Sequence, residues 1–541
     1  MEKVLVVGSG ASGVHFALTL LKKGYEVLML DVGWQKPAPM NPSDHWNILK
    51  SNLDDPVQYF LGEDFEAVVL PGDEGEYFTK FYGFPPSKSH VFMRPRRFNY
   101  VANGFTPLLS FAQGGLAEAW TGGAYPFNED DLKEYPFNYA DIEPYYGEVA
   151  RRIGLIGVND DLTRYFPLHE NLLPPLRLDE NSQYIITEYE KQKSIINQKL
   201  KSYLGRSRVT TQSMDSQDRK ACTYCGRCLW GCPSESFYTP TITLQECLRY
   251  PNFKYTSGVL VNFFKYDENG RIYSAVTESI IDHQIREFNA DKFILAAGSL
   301  SSSKIFMDSI YHATGNIIKL SGLMDNRQIL VPFMNLRMLG KKYDPESYQY
   351  HQLAIGFNFS DQPEEYIHGQ ITTLKTALLH PVIQNVPFDM NTSIGVFRNV
   401  RSGLGVVNLN LFDRRRETNY VSLHVDTETE STRLTIKYTP TEQEDQIIKD
   451  SLRRVKQVFW KLKCIVIPWM IQVRPMGASV HYSGILPMSD KAAPYHTSKY
   501  CQSYDFENLF IVDGSTMPFL PAKNITFTLM ANAVRVADQK F

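Results

Sequence analysis

Lys3-Val4-Leu5-Val6-Val7-Gly8-Ser9-Gly10-Ala11-Ser12-Gly13 decides how this chain folds. The apolar run reads as a buried parallel strand, and Gly-x-Gly-x-x-Gly stands where that strand turns into a helix. Gly8 permits the tight turn, Gly10 lets backbone approach a pyrophosphate, and Gly13 lets the helix pack closely on the strand. The backbone of Ala11 and Ser12 then opens a helix whose free N–H groups and positive dipole end suit phosphates. Val14, Ala17, Leu18 and Leu21 recur at helical spacing over residues 11–23. A second strand over 25–30 ends at Asp31, 18 residues past Gly13, where a carboxylate can hold ribose hydroxyls. The six-residue glycine motif alone is a weak signal. With strand, helix and acid in register, the reading is a βαβ unit for an adenine dinucleotide. These residues do not separate FAD from NAD.

Working outward, the 541 residues carry 56 basic and 59 acidic side chains, a net charge of −3. That balance excludes a generic nucleic-acid binder, which needs a clustered cationic excess. Hydrophobic residues at 43% and charged residues at 21% describe a globular chain. No stretch approaches the roughly 20 apolar residues of a membrane span, and the run Cys464–Ile471 is far too short. Lys3 before an apolar run imitates an export signal, but Gly8, Gly10 and Gly13 interrupt it, so a cytoplasmic location is the default expectation.

Residues 36–90 read as loop-dominated, 141–153 as a capped helix, and 179–204 as mostly helical. Alternation over 253–297 predicts antiparallel strands, ending in a buried strand at 293–297. Repeated alternation between about 330 and 440, as in Leu374–Val382 and Val421–Tyr438, predicts a sheet-rich second domain. An amphipathic helix over 441–463, a short strand over 508–513 and a last helix over 525–539 complete the pattern. The fold class is α/β at the N-terminus and α+β overall.

The closing stretch reads Asn508-Leu509-Phe510-Ile511-Val512-Asp513-Gly514-Ser515-Thr516-Met517-Pro518, then Asn524-Ile525-Thr526-Phe527. It resembles the last segment of the glucose–methanol–choline (GMC) flavoprotein oxidoreductases. Further blocks agree in order: Gly114-Gly115-Leu116-Ala117-Glu118-Ala119-Trp120, then Tyr135-Pro136-Phe137 with Asp141–Tyr146, then Ala296-Ala297-Gly298-Ser299, then His481 with Gly484 and Met488. The resemblance spans the chain and is weakest over 36–90 and 330–470. It implies FAD held jointly by the βαβ unit and the closing segment, with Gly114, Gly115, Trp120, Val259, Ala297, Gly298, Asp513, Gly514, Asn524, Ile525 and Thr526 joining Gly8, Gly10, Ala11, Ser12, Gly13 and Asp31 at the cofactor. It also implies a discontinuous Rossmann-like FAD-binding domain (1–35, 94–125, 205–320 and 471–541). A sheet-and-helix substrate domain (36–93, 126–204 and 321–470) is inserted between these segments. The family's covalent flavin link uses a His just before the loop Trp. Here that position is Ala119, so FAD is expected to be non-covalent.

In that family a His and a second His or Asn face the reactive flavin edge, and these positions match His481 and Asn524. Alcohol oxidation sheds a hydroxyl proton as hydride leaves carbon, a proton that neutral imidazole can take while an amide holds the oxygen. Ile485, Pro487 and Ile525 depart from the usual residues around the pair. His496 and His351 are reserve candidates. The implied substrate is a small hydroxyl-bearing molecule: a sugar, polyol or alcohol metabolite. An oxidase making peroxide and a non-redox lyase on the same fold are the competing readings.

Cys222, Cys225, Cys228 and Cys232 form C-x2-C-x2-C-x3-C-P, the run that holds iron–sulfur clusters in bacterial ferredoxins. Soft thiolates at this spacing select iron–sulfur before zinc. Two readings stand side by side. In one, a cluster relays electrons to a redox partner or quinone, as in some sugar dehydrogenases of the resembled family. In the other, the thiols pack as small buried hydrophobes.

Overall fold

A computed structural model describes residues 2–35, 51–53, 55–62, 85–216, 218–342, 344, 346–374, 387–426 and 431–541. Most of the loop-dominated stretch and the alternation beyond Leu374 lie outside these residues.

The N-terminal unit forms as the glycines require. β1 (Lys3–Val7) leads into α1 (Ala11–Lys22), which returns the chain to β2 (Glu26–Leu30). With β3 (Phe253–Thr256), β4 (Lys292–Leu295) and β5 (Leu509–Ile511) they make a five-stranded parallel sheet in the order β5-β4-β1-β2-β3. Strands from three distant parts of the chain thus share one sheet. α1 packs on one face with the last helix, Thr526–Lys540, and Val4, Phe16, Leu20, Met29, Met530 and Val534 share one core there. Each such side chain contributes roughly 1.5–3 kcal/mol on burial.

A seven-stranded sheet faces this unit. Its main order runs Cys464–Val466, Gln328–Asn335, Leu404–Asn410, Tyr366–Thr373, Leu353–Asn358, Ser202–Arg206, all antiparallel, with Gln472–Val473 also pairing to the second of these. The two-residue period of strands sorts its faces. Ile329, Val331, Ile371, Val407 and Leu409 point into one core, together with Ile196 and Val455 of helices Glu180–Lys199 and Glu444–Lys461. Gln328, His368, Gln370, Asn408 and Asn410 alternate with them and so take the other face. The register sets Gln328 and His368 opposite Asn410, and Gln370 opposite Asn408.

The mostly helical reading of 179–204 holds over Glu180–Lys199; Lys201 then enters the left-handed region at φ 48° and Ser202–Arg206 becomes an edge strand. One expectation needs correction. Residues 253–297 are not uniformly antiparallel: Val259–Tyr266, Ile272–Ser279 and Ile285–Asn289 form an antiparallel sheet, while β3 and β4 join the parallel one.

Candidate active site

Two neighbouring cavities lie between the sheets. The first is a cleft lined by Gly8, Gly10, Ala11, Ser12, Asp31, Gly115, Val259, Ala297, Gly298, Asp513, Gly514, Ile525 and Thr526. These are the residues expected at the cofactor. Gly13 packs beneath the cleft, and the Gly114 N–H donates to Ser9 Oγ at 2.9 Å rather than lining it. Trp120 and Asn524 line the second cavity instead. The Trp120 indole N–H bonds Tyr238 O at 2.9 Å, which turns the ring away from the cleft.

The cleft fits an adenine dinucleotide. Gly8 has φ +100°, and a Cβ there would stand 2.6 Å from Ala296 O. A Cβ on Gly13 would meet Gly8 O at 2.1 Å. Only bare backbone can close this end. Asp31 is buried at the tip of β2, accepting from Ser9 Oγ and from Tyr255 Oη at 3.2 Å, and burial pushes its carboxyl up to about 6. Asp513 ties the two late loops together by accepting from Gly298 N–H at 3.0 Å and Ser515 N–H at 3.1 Å.

The second cavity shares Leu108, Leu116, Ala117, Val480 and Thr526 with the cleft, so the two adjoin. His481 and Asn524 meet here with His481 Nε2 3.3 Å from Asn524 Nδ2. Their partners settle the orientation of both. Asn326 Nδ2 donates to Leu411 O at 2.7 Å and Pro521 O at 3.0 Å, which leaves its Oδ1 facing His481 Nδ1 at 2.8 Å. Nδ1 therefore carries the proton, and Nε2 presents a lone pair. Gln370 Nε2 donates to Asn524 Oδ1 at 2.6 Å, so the Asn524 NH2 group points at His481. Burial lowers the His481 pKa to about 4, keeping the ring neutral. Asp325 holds the loop behind it, accepting from Ser479 Oγ, from Gly477 N–H at 2.7 Å and from His481 N–H at 3.2 Å.

Of the reserve histidines, His351 is buried beside Tyr125 with its pKa pushed down to about 3, and His496 Nδ1 sits 2.8 Å from Pro494 O. Neither lines the second cavity. Sequence reasoning missed Asn326, Gln328, Gln370, Asn408 and Arg474. The available signal was a buried-looking strand, Tyr366–Thr373, carrying an amide between isoleucines.

Among the described residues no group of three or more His, Cys, Asp or Glu side chains is placed to hold a metal ion. Cys222, Cys225, Cys228 and Cys232 are unbridged and partly buried, and all but Cys225 pack against the cluster of Phe237, Tyr348 and Tyr350. Burial pushes the Cys222 thiol up to about 11 and raises Cys228 also. The iron–sulfur expectation therefore finds no support here, and no electron step below passes through these cysteines.

Residues 415–533 match the family model described as GMC oxidoreductase. Over that segment the chain is similar to the GMC oxidoreductases. It is 22% identical over 542 positions to paromamine 6'-oxidase of Streptomyces fradiae, covering 99% of this chain and 90% of that one. It is 21% identical over 578 positions to the fructose dehydrogenase large subunit of Gluconobacter japonicus, covering 99% and 97%. The crystal structure of pyridoxine 4-oxidase from Mesorbium loti shares the fold with a TM-score of 0.58 at 14% identity, covering 100% of this chain and 99% of that one. These matches support an FAD-dependent oxidoreductase acting on CH–OH groups. The tightness at Gly13 yields a first prediction. Gly13→Ala must move the strand–helix turn, and the purified variant is expected to lack the flavin absorbance of the parent.

Proposed function

We propose that this enzyme oxidises a hydroxyl group of a sugar, polyol or alcohol metabolite and passes the electrons to an acceptor other than O2. The observation that carries this reading is the His481–Asn524 pair in a cavity adjoining the dinucleotide cleft. FAD, when bound, supplies the hydride acceptor. His481 takes the hydroxyl proton at Nε2, the nitrogen left with a lone pair by the Asn326 contact. Asn524, its Oδ1 engaged by Gln370, donates from Nδ2 to the substrate oxygen. Gln328, Gln370 and Asn408 line the same cavity and offer neutral donors and acceptors suited to several hydroxyls. The names of the two relatives, paromamine 6'-oxidase and fructose dehydrogenase large subunit, support a sugar-like substrate.

The oxidase names among the relatives favour a second reading, in which O2 is the acceptor and peroxide the product. Anaerobic addition of candidate sugars and alcohols is expected to bleach the flavin. Admitting air should then restore the colour slowly, and an artificial acceptor quickly. Rapid reoxidation by air with stoichiometric peroxide would establish the oxidase instead. No bleaching by any hydroxyl compound would sink both.

The flavin is proposed to be non-covalent. Ala119 is buried, lines the second cavity and has no nucleophilic atom. Acid precipitation is expected to leave all yellow colour in the supernatant, and a coloured pellet would refute this. The division into cofactor and substrate domains belongs to the same proposal. It is supported by the parallel sheet's origin in the first set of segments and by the amide-bearing face of the larger sheet.

A further inference from the structure

The outer edge of the seven-stranded sheet exposes several large apolar side chains. Cys464–Val466 and Gln472–Val473 both pair with Gln328–Asn335 from the outside, and the turn Pro468–Met470 projects between them. Trp469 at that turn is 84% exposed, and Met470, Val473 and Ile465 are exposed beside it. Leu336 N–H bonds Lys463 O at 3.3 Å, which brings exposed Leu336 alongside. Trp460, at the end of the helix Glu444–Lys461, is 64% exposed. Exposed tryptophans at the turn and at the helix end, with exposed aliphatic side chains along the strands between them, put an unusual amount of large apolar side chain at this edge.

Charge on this edge is one-sided. Between Asp450 and Asp490 the chain has no acidic residue. Lys456, Lys461 and Lys463 are exposed within that interval. Arg337, next to Leu336, is exposed as well and also reaches the buried Glu188 carboxylate at 3.2 Å. The whole chain has a net charge of −3, so this cationic rim is a local segregation.

We propose that this edge docks on the surface of an anionic lipid bilayer. Tryptophan sits well at the headgroup boundary, apolar tips enter the acyl region, and lysine stems run along apolar surface while their ammonium groups reach phosphate. A second copy of the chain fits less well, because a two-fold contact would set the lysine rim against itself. Among the described residues no helix is long and apolar enough to cross a membrane, so the contact is peripheral. Val473 faces outward while Arg474, next in the chain, lines the second cavity. Docking would therefore hold the cavity wall one residue behind the lipid.

Flotation of the full-length flavin-loaded protein with vesicles tests this. Binding is expected to vesicles of phosphatidylcholine mixed with phosphatidylglycerol, much less to phosphatidylcholine alone, and to weaken as salt is raised. The double variant Trp469→Ser, Met470→Ser should bind at least about tenfold more weakly. Lys461→Gln and Lys463→Gln should each cost about fivefold. Flavin content and unfolding temperature report that each variant remains folded. The proposal fails if the parent does not float with anionic vesicles at low salt, or if the variants float as well as the parent. It also fails if the parent is a dimer that Trp469→Ser converts to monomer without any vesicle binding.

Discussion

His481→Ala should keep its bound flavin and lose about 10²–10⁴-fold in the rate at which substrate reduces it. Flavin is retained because the His481 side chain lines the second cavity, while its neighbours Val480 and Tyr482 line the cleft. Truncation removes the proton acceptor and leaves the cradle intact. The pH dependence should separate this base from an ordinary surface histidine. Burial favours the neutral ring, so its pKa falls from 6.5 to about 4. The reactive lone pair is present above that value and lost as pH falls through it, placing the acid limb of reduction near pH 4 rather than 6.5. Asp325 lies behind the same loop with its carboxyl pushed up to about 7 by burial. The limb is therefore read in an Asp325→Asn background, where the imidazole is the nearer titrating group. Asn524→Ala should also be slow, and its effect should combine non-additively with His481→Ala because both act on one hydroxyl. Reduction of His481→Ala at the parental rate would remove this residue from the chemistry.

The parts of the site that sequence reveals are those whose physics is local. Gly8, Gly10 and Gly13 announce themselves because a tight turn, a backbone approach and a close helix–strand contact each exclude a side chain within six residues. Asp31 follows from strand and helix length alone. Gln328, Gln370 and Asn408 are different. On a strand with alternating polarity, an amide reads as solvent-facing, and only the packing of the sheet against the cofactor unit makes that face an interior wall. Asn326 and Asp325 are invisible for the same reason: each acts through a loop more than 150 residues away. The cysteine run is legible as a pattern and still undecided in role. Its spacing is that of a cluster ligand set, but spacing says nothing of where the thiols point, and here Tyr348 and Tyr350 belong to the core that receives them. The mostly helical stretch 179–204 stops short of its end at Lys201, whose left-handed backbone no periodicity reports.

Asp131→Ala should cost about 3–5 kcal/mol of stability, the typical penalty for leaving a buried charge without its partner. Lys523 is fully buried and Asp131 nearly so. Their side chains form a direct ion pair, and Lys523 Nζ also donates to Tyr165 O at 2.6 Å and Pro126 O at 3.3 Å. The rings of Phe166 and Tyr366 flank the ammonium at 5.5 and 5.7 Å. Burial pushes the lysine pKa down and the carboxyl pKa up, so each charge is held chiefly by the other. Without Asp131, the ammonium must lose its proton or draw water into an aromatic pocket. Urea unfolding of the flavin-loaded protein should show the loss as a lowered midpoint with little change in slope. Replacing both partners by apolar residues, Asp131→Leu with Lys523→Met, should recover much of that stability, because desolvating the pair offsets most of its attraction. Activity should not recover in parallel. Lys523 immediately precedes Asn524, and its three oxygen partners fix the backbone from which that amide reaches His481. A double variant that is stable, binds flavin and still reduces it slowly would show that the pair positions the site. A double variant as fast as the parent would reduce the pair to a structural plug, and a loss below about 1 kcal/mol in Asp131→Ala would mean that water already reaches the ammonium.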